Sequence, residues 1–243
     1  PYTLTHVATS LHLKWPTAQC LSMSKENVNM LNSTTQAYWH TPLHYQWAAV
    51  PEQTGHAALQ LSSGGAVGIL NLRGLLSDAA FVAAIDSALG VALPTAPKQS
   101  VYAQDAAIFW LSPDEWLLVC AYAKKNEVLA RLQAACKGVF AQVVDNSGGF
   151  MAVQIQGSEA ETFLRHLSPY NVSALEDSQV VSTVLKKTTV VIHKVGANDY
   201  VLLFRRSFAD YLWRIFEKTT KPYGMGVSQK WQSQQADWQR YTA

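Results

Sequence analysis

His40 and His44 stand four residues apart, a spacing that on a helix puts both imidazoles on one face in the manner of metal ligands. Pro42 between them argues against a regular helix, and no third ligand follows at a recognisable distance. Asn146-Ser-Gly-Gly149 carries a glycine pair of the kind that cradles phosphate when it opens a helix. Here it leads into the apolar run Phe150 to Gln156, so a hairpin turn with positive φ is the reading that fits. Asp145, Asp199 and Glu115 lie at strand ends where a carboxylate could act, but no spacing pairs any of them with a base, and they read as turn or surface acids. Arg205 and Arg206, adjacent on a strand, point to opposite faces, so one can meet a carboxylate or phosphate on a neighbour while the other is solvated. The sequence contains no G-x-S-x-G elbow, P-loop, H-E-x-x-H, C-x-x-C or G-x-G-x-x-G after a strand. Cys20, Cys120 and Cys136 are odd in number and widely spaced, and read as buried thiols in a reducing compartment. No catalytic residue, cofactor site or metal site is assigned.

The elements that carry these residues repeat. Tyr200 to Phe204 is a continuous apolar run of strand length, closed by Arg205-Arg206. A helix then opens at Ser207 with Asp210 in capping-box position, and Phe208, Tyr211, Leu212, Ile215 and Phe216 form its predicted inner face. An earlier stretch, Asp114 to Lys137, has the same grammar. Glu115 to Cys120 aligns with Asp199 to Phe204 at an offset of 84 (199 less 115), with acid, aromatic and aliphatic types in the same order. Upstream, Val67 to Gly74 followed by Ser77 echoes Met151 to Gly157 followed by Ser158. Each copy reads strand, glycine, Ser-capped helix, strand, strand, helix. This predicts an α+β fold built from a duplicated strand-helix-strand-strand-helix unit, in copies covering about 66–138 and 139–221.

The flanks differ in composition. Residues 1–65 are rich in Ser, Thr, Asn, Gln and His without sustained periodicity, and read as a largely extended arm that anchors on another surface through aromatics such as Trp39 and Trp47. Residues 222–243 read as a partner-docking tail, with Trp231 and Trp238 seven apart and Tyr241 beyond them. Hydrophobic residues make up 49% of the chain and charged ones only 15%, a lean charge that favours a subunit hiding part of its surface in a complex. A net charge of +2 gives no footprint for nucleic acid or an anionic membrane. No apolar run has the length of a membrane span, the first thirty residues lack a secretory pattern, and a cytoplasmic setting is expected.

Leu111-Ser-Pro-Asp-Glu-Trp-Leu-Leu118, Val144-Asp-Asn-Ser147, Gly157-Ser-Glu-Ala160 and above all Arg205-Arg-Ser-Phe-Ala-Asp-Tyr-Leu-Trp213 resemble the gamma subunits of heterotetrameric sarcosine oxidase, over roughly Gly65 to Thr219. The resemblance implies mostly antiparallel sheets in a fold like the folate-binding aminomethyltransferases. It further implies a subunit of a four-chain flavoenzyme that oxidatively demethylates an N-methyl amino acid. Its partners would be alpha, beta and delta subunits, which would hold FAD, FMN, NAD, tetrahydrofolate and zinc. The arm and the aromatic tail depart from the family pattern, which points to a sister complex such as N-methylglutamate dehydrogenase. A free-standing folate-binding, aminomethyltransferase-like protein is the alternative. It is weakened by the absence of K-G-C-Y-x-G-Q-E and of the aminomethyltransferases' glycine-rich segment with its acid.

Overall fold

The computed structural model describes residues 41–50, 58–63 and 65–228. A short helix α1 (His44–Ala49) and strand β1 (Gln60–Ser62) precede the first repeat, which runs β2 (Val67–Arg73), α2 (Ala79–Leu89), β3 (Ser100–Tyr102), β4 (Ala107–Ser112), β5 (Glu115–Ala121) and α3 (Lys125–Ala135). After β6 (Gln142–Asp145) the second repeat follows the same order, as β7 (Phe150–Gln156), α4 (Ala160–Leu167), β8 (Val180–Leu185), β9 (Thr188–Gly196), β10 (Asp199–Arg205) and α5 (Ala209–Thr220). β11 (Gly226–Ser228) ends the described chain. The fold is α+β with two mostly antiparallel sheets, ordered β3-β4-β5-β2-β6 and β11-β1-β7-β10-β9-β8. The repeats agree in register as well as in order. Val67 to Arg73 pairs antiparallel with Ala121 to Glu115, as Phe150 to Gln156 pairs with Arg205 to Asp199.

The sheets are stacked face to face and helices cover both outer sides, which explains why the central strands are apolar on alternate and intervening positions alike. In β5, Trp116, Leu118 and Cys120 face Phe81, Ile85 and Leu132 of the helices, while Leu117 and Val119 join a cluster between the sheets. In β10, Tyr200, Leu202 and Phe204 face Phe163, Leu212 and Phe216, while Val201 and Leu203 enter the same inter-sheet cluster. Neither repeat alone could cover the Val67–Ile69–Leu117–Val119 face, so the duplication is a packing requirement of the fold.

Three short strands mark the repeat boundaries, at residues 60, 142 and 226, roughly one repeat apart. β6 precedes the second repeat but pairs antiparallel with β2 of the first, whereas β1 precedes the first repeat and pairs antiparallel with β7 of the second. β11 then lies parallel on β1. Boundaries drawn at 66, 139 and 222 therefore cut across the sheets. The expected extended arm up to residue 65 already contains α1 and β1, and the expected tail from 222 contains β11.

Several local expectations change for identifiable reasons. Asp78, not Ser77, caps α2, its carboxylate accepting from the Ala80 and Phe81 amides at 2.9 and 3.4 Å. Ser147–Gly149 forms a 3₁₀ turn carrying the chain from one sheet to the other, so the glycine pair is not a hairpin turn, and neither Gly148 nor Gly149 has positive φ. The helices expected to start at Ser158 and Ser207 have no side-chain cap bond. Glu161, in the first turn of α4, accepts from the Ser173 hydroxyl. The matched glycines Gly74 and Gly157 each close a strand where a Cβ would collide, with the Phe81 ring at 2.4 Å and with the Ala58 carbonyl at 2.4 Å. Gly157 also has φ +116, which only glycine adopts freely.

Candidate partner-docking surfaces

The three carboxylates singled out by their strand-end positions are all engaged inside the chain. Glu115 accepts from Asn71 Nδ2 at 2.6 Å. Asp145 forms a 2.7 Å ion pair with Lys125 and accepts from both the hydroxyl and the amide of Ser147. Burial alone would raise the Asp145 pKa, but these hydrogen bonds outweigh it and hold the group below the usual carboxylate range. Asp199 is 6% exposed and accepts from Gln154 Nε2 at 2.7 Å and Gln156 Nε2 at 3.0 Å, with Ser62 donating to Gln154 in turn. These are structural networks that tie down the ends of the strands. Cys120 and Cys136 are free and buried, and burial pushes the Cys120 thiol up to about 11, which makes it an inert packing group. Among the described residues no group of three or more His, Cys, Asp or Glu side chains is placed to hold a metal. His44 opens α1, and His40 lies outside the described residues.

One polar residue that no motif flags joins the two repeats. His193 of β9 is fully buried and stands over Phe109 of β4 with ring centroids 4.6 Å apart. Its Nδ1 lies 3.2 Å from the Gln179 carbonyl and its Nε2 lies 2.9 Å from the Tyr102 hydroxyl. A carbonyl only accepts, so Nδ1 carries the proton and Nε2 accepts from Tyr102 of β3. Burial pushes the imidazole down to about 4, keeping it neutral. The signal in the sequence was a lone histidine in the apolar strand Thr188 to Gly196.

The partner-contact candidates separate in the structure. Arg205 ends β10 with its guanidinium 4.4 Å above the ring of Phe150, its cross-strand neighbour, leaving the charge on the surface. Arg206 opens the 3₁₀ turn that follows the strand and lines a cleft with Thr41, Tyr122, Ser147 and Met151. The strand ends at Arg205, so the two arginines are not the strand neighbours expected. Trp47 does not sit on an outer surface as expected of an arm aromatic. It is 4% exposed, with its ring 6.2 Å from Trp213, because α1 folds onto α5 and spends the indole on the chain's own core. Trp39, Trp231, Trp238 and Tyr241 lie outside the described residues.

The surface with the character of a docking site was not among those candidates. Phe140 is 83% exposed and Leu75 49%, and they line one depression whose rim carries the 2.6 Å Arg73–Asp114 ion pair. Both adjoin β6, which pairs with β2 along one edge and, among the described residues, with nothing along the other. Val144 on this strand is also exposed. At the corresponding edge of the other sheet, β11 covers β1. Phe140 sits in the apolar stretch 139–141, which β6 does not include. The strand begins only at Gln142, leaving Phe140 on the approach to it.

A profile of the sarcosine oxidase gamma subunit family matches residues 73–221, from the end of β2 through the second repeat, and includes the Arg205–Trp213 motif. The chain belongs to this family. It is 29% identical over 166 residues to the sarcosine oxidase subunit gamma of Corynebacterium sp. (strain U-96), a match covering 67% of each protein. Its fold matches a chain of the heterotetrameric sarcosine oxidase from Corynebacterium sp. U-96, solved in complex with pyrrole 2-carboxylate. The TM-score is 0.69 at 25% identity, covering 76% of this chain and 95% of that one. It also shares its fold with the glycine cleavage system aminomethyltransferase T of Bartonella henselae, with a TM-score of 0.57 at 14% identity over 76% of this chain and 58% of that one. No described helix is long and apolar enough to cross a membrane.

Proposed function

We propose that this chain is the gamma subunit of a heterotetrameric flavoenzyme of the sarcosine oxidase type. In this reading it has no active site of its own and contributes to assembly and stability. Its partners are the alpha, beta and delta subunits, which hold FAD, FMN, NAD, tetrahydrofolate and zinc, and the complex oxidatively demethylates sarcosine or a related N-methyl amino acid such as N-methylglutamate in the cytoplasm. The observation that carries this reading is Phe140, an almost fully exposed aromatic beside the open edge of β6 in a chain whose family is that of a gamma subunit. Covering such a ring contributes on the order of 2 kcal/mol, and an open edge offers backbone hydrogen bonds to an added strand. The internal engagement of Glu115, Asp145 and Asp199 supports a structural role. Trp231, Trp238 and Tyr241 extend the docking surface in this proposal, as do Arg205 and Trp39.

Co-expression with the three other subunits tests the assignment. The chain is expected to co-purify stoichiometrically with them, and the Phe140→Asp variant to be depleted from the complex while remaining folded. A chain that elutes alone from cells making all four subunits would sink the proposal. Removing residues 229–243, which spares β11, is expected to weaken assembly further.

A further inference from the structure

The apolar stripe of α5 is wider than its own core needs. Leu212, Trp213 and Phe216 are buried, but Tyr211 and Ile215, predicted by spacing to share that inner face, are only partly covered. They form the floor of a groove, together with Pro222 and Tyr223. The Tyr223 ring stacks on His166 with centroids 6.3 Å apart, which fixes that end of the floor.

Three lysines rim the groove: Lys218 on α5, and Lys186 and Lys187 in the two-residue turn between β8 and β9, where Lys186 has φ +53. Lys186 donates to the His166 carbonyl at 2.6 Å, tying the turn to the end of α4. None of the lining residues is acidic, and among the described residues no ion pair engages Lys186, Lys187 or Lys218. Three like charges are held together here without counter-charge above an aromatic and aliphatic floor. About 860 Å³ lies above that floor, near the upper end of the range of ligand-binding clefts.

We infer that this groove receives an acidic amphipathic segment of another subunit, with apolar side chains on Tyr211, Ile215 and Tyr223 and carboxylates on Lys187 and Lys218. The inference rests on the reading of the chain as a subunit. It adds a second docking surface, on the second repeat, to the Phe140 surface on the first. Electrostatic complementarity of this kind sets register and speeds association, and the floor supplies the buried contact.

The test uses the co-purified complex and the full chain alone. Acetic anhydride footprinting is expected to show Lys187 and Lys218 at least tenfold slower to acetylate in the complex. Carbodiimide coupling, which joins an amine only to a carboxylate in contact, should link them to Asp or Glu of another chain. The Lys186→Glu, Lys187→Glu, Lys218→Glu variant should lose at least tenfold in recovery with the complex at physiological salt, and the corresponding triple Gln variant less. Equal acetylation rates in a complex of normal stoichiometry would overturn the inference and leave the subunit reading standing. Protection that dialysis removes, without a cross-link, would assign the groove to a small anion and also overturn it. A wild-type chain that co-purifies with nothing would remove both.

Discussion

Replacing Tyr102 with phenylalanine and His193 with leucine together should remove a defined part of the fold's acid sensitivity. His193 is fully buried and neutral, with its pKa lowered by burial from the ordinary 6.5 to about 4. Above pH 6.5 the folded and unfolded chains both carry a neutral imidazole, and the residue contributes nothing to pH dependence. Between 6.5 and 4 only the unfolded chain binds the proton, so stability falls with pH at about 1.4 kcal/mol per unit. From pH 7 to pH 4.5 this one group accounts for a loss on the order of 2 kcal/mol. Removing both hydrogen-bond partners together leaves neither polar atom stranded. The Gln179 carbonyl keeps its bond from the Lys194 amide at 2.9 Å, so the cost at pH 7 should stay near 1 kcal/mol. Urea unfolding of the purified chain at pH 7, 6, 5 and 4.5, followed by far-ultraviolet circular dichroism, measures this. The double variant should lose on the order of 2 kcal/mol less than wild type over that range. Parallel pH profiles would refute the argument, because they would mean that His193 protonates as freely in the folded chain as in the unfolded one.

Other consequences are more local. Gly157→Ala forces a Cβ to 2.4 Å from the Ala58 carbonyl at a φ of +116, and should cost at least about 2 kcal/mol in a thermal or urea melt. Asp78→Ala removes the cap of α2 and should cost about 1 kcal/mol by the same measurement, whereas Ser77→Ala should be nearly neutral. Phe140→Asp should change the stability of the isolated chain by less than about 0.5 kcal/mol, since the ring is 83% exposed, yet weaken its association with the complex by about 2 kcal/mol or more in a binding titration. Calorimetry of the isolated chain with tetrahydrofolate should show no saturable heat, and a saturable isotherm would favour the free-standing alternative.

The duplication was legible because both faces of β5 and β10 are covered, so the same continuous apolar run had to appear twice, followed each time by a helix. Helix ends were read less well. Ser77 has the right residue type for a cap, but the neighbouring Asp78 carboxylate reaches the free amides first. The exchange of boundary strands was not legible at all, since β1 and β6 are too short to show periodicity and find their partners about one repeat away in the chain. Trp47 was misplaced because an aromatic in a polar segment looks the same whether it anchors on a partner or, as here, on Trp213 of its own chain. Tyr211 and Ile215 were assigned to the core by spacing alone. Spacing gives the width of an apolar stripe and not how much of it the chain's own sheet can cover.

The central claim is that the chain works as one of several subunits, and isolating it from its native cell tests this most directly. A tag on the full chain should bring down larger chains in fixed stoichiometry, with the visible absorption of bound flavin and activity towards an N-methyl amino acid. A colourless chain recovered alone, at a mass matching its own 26.8 kDa, would contradict the account.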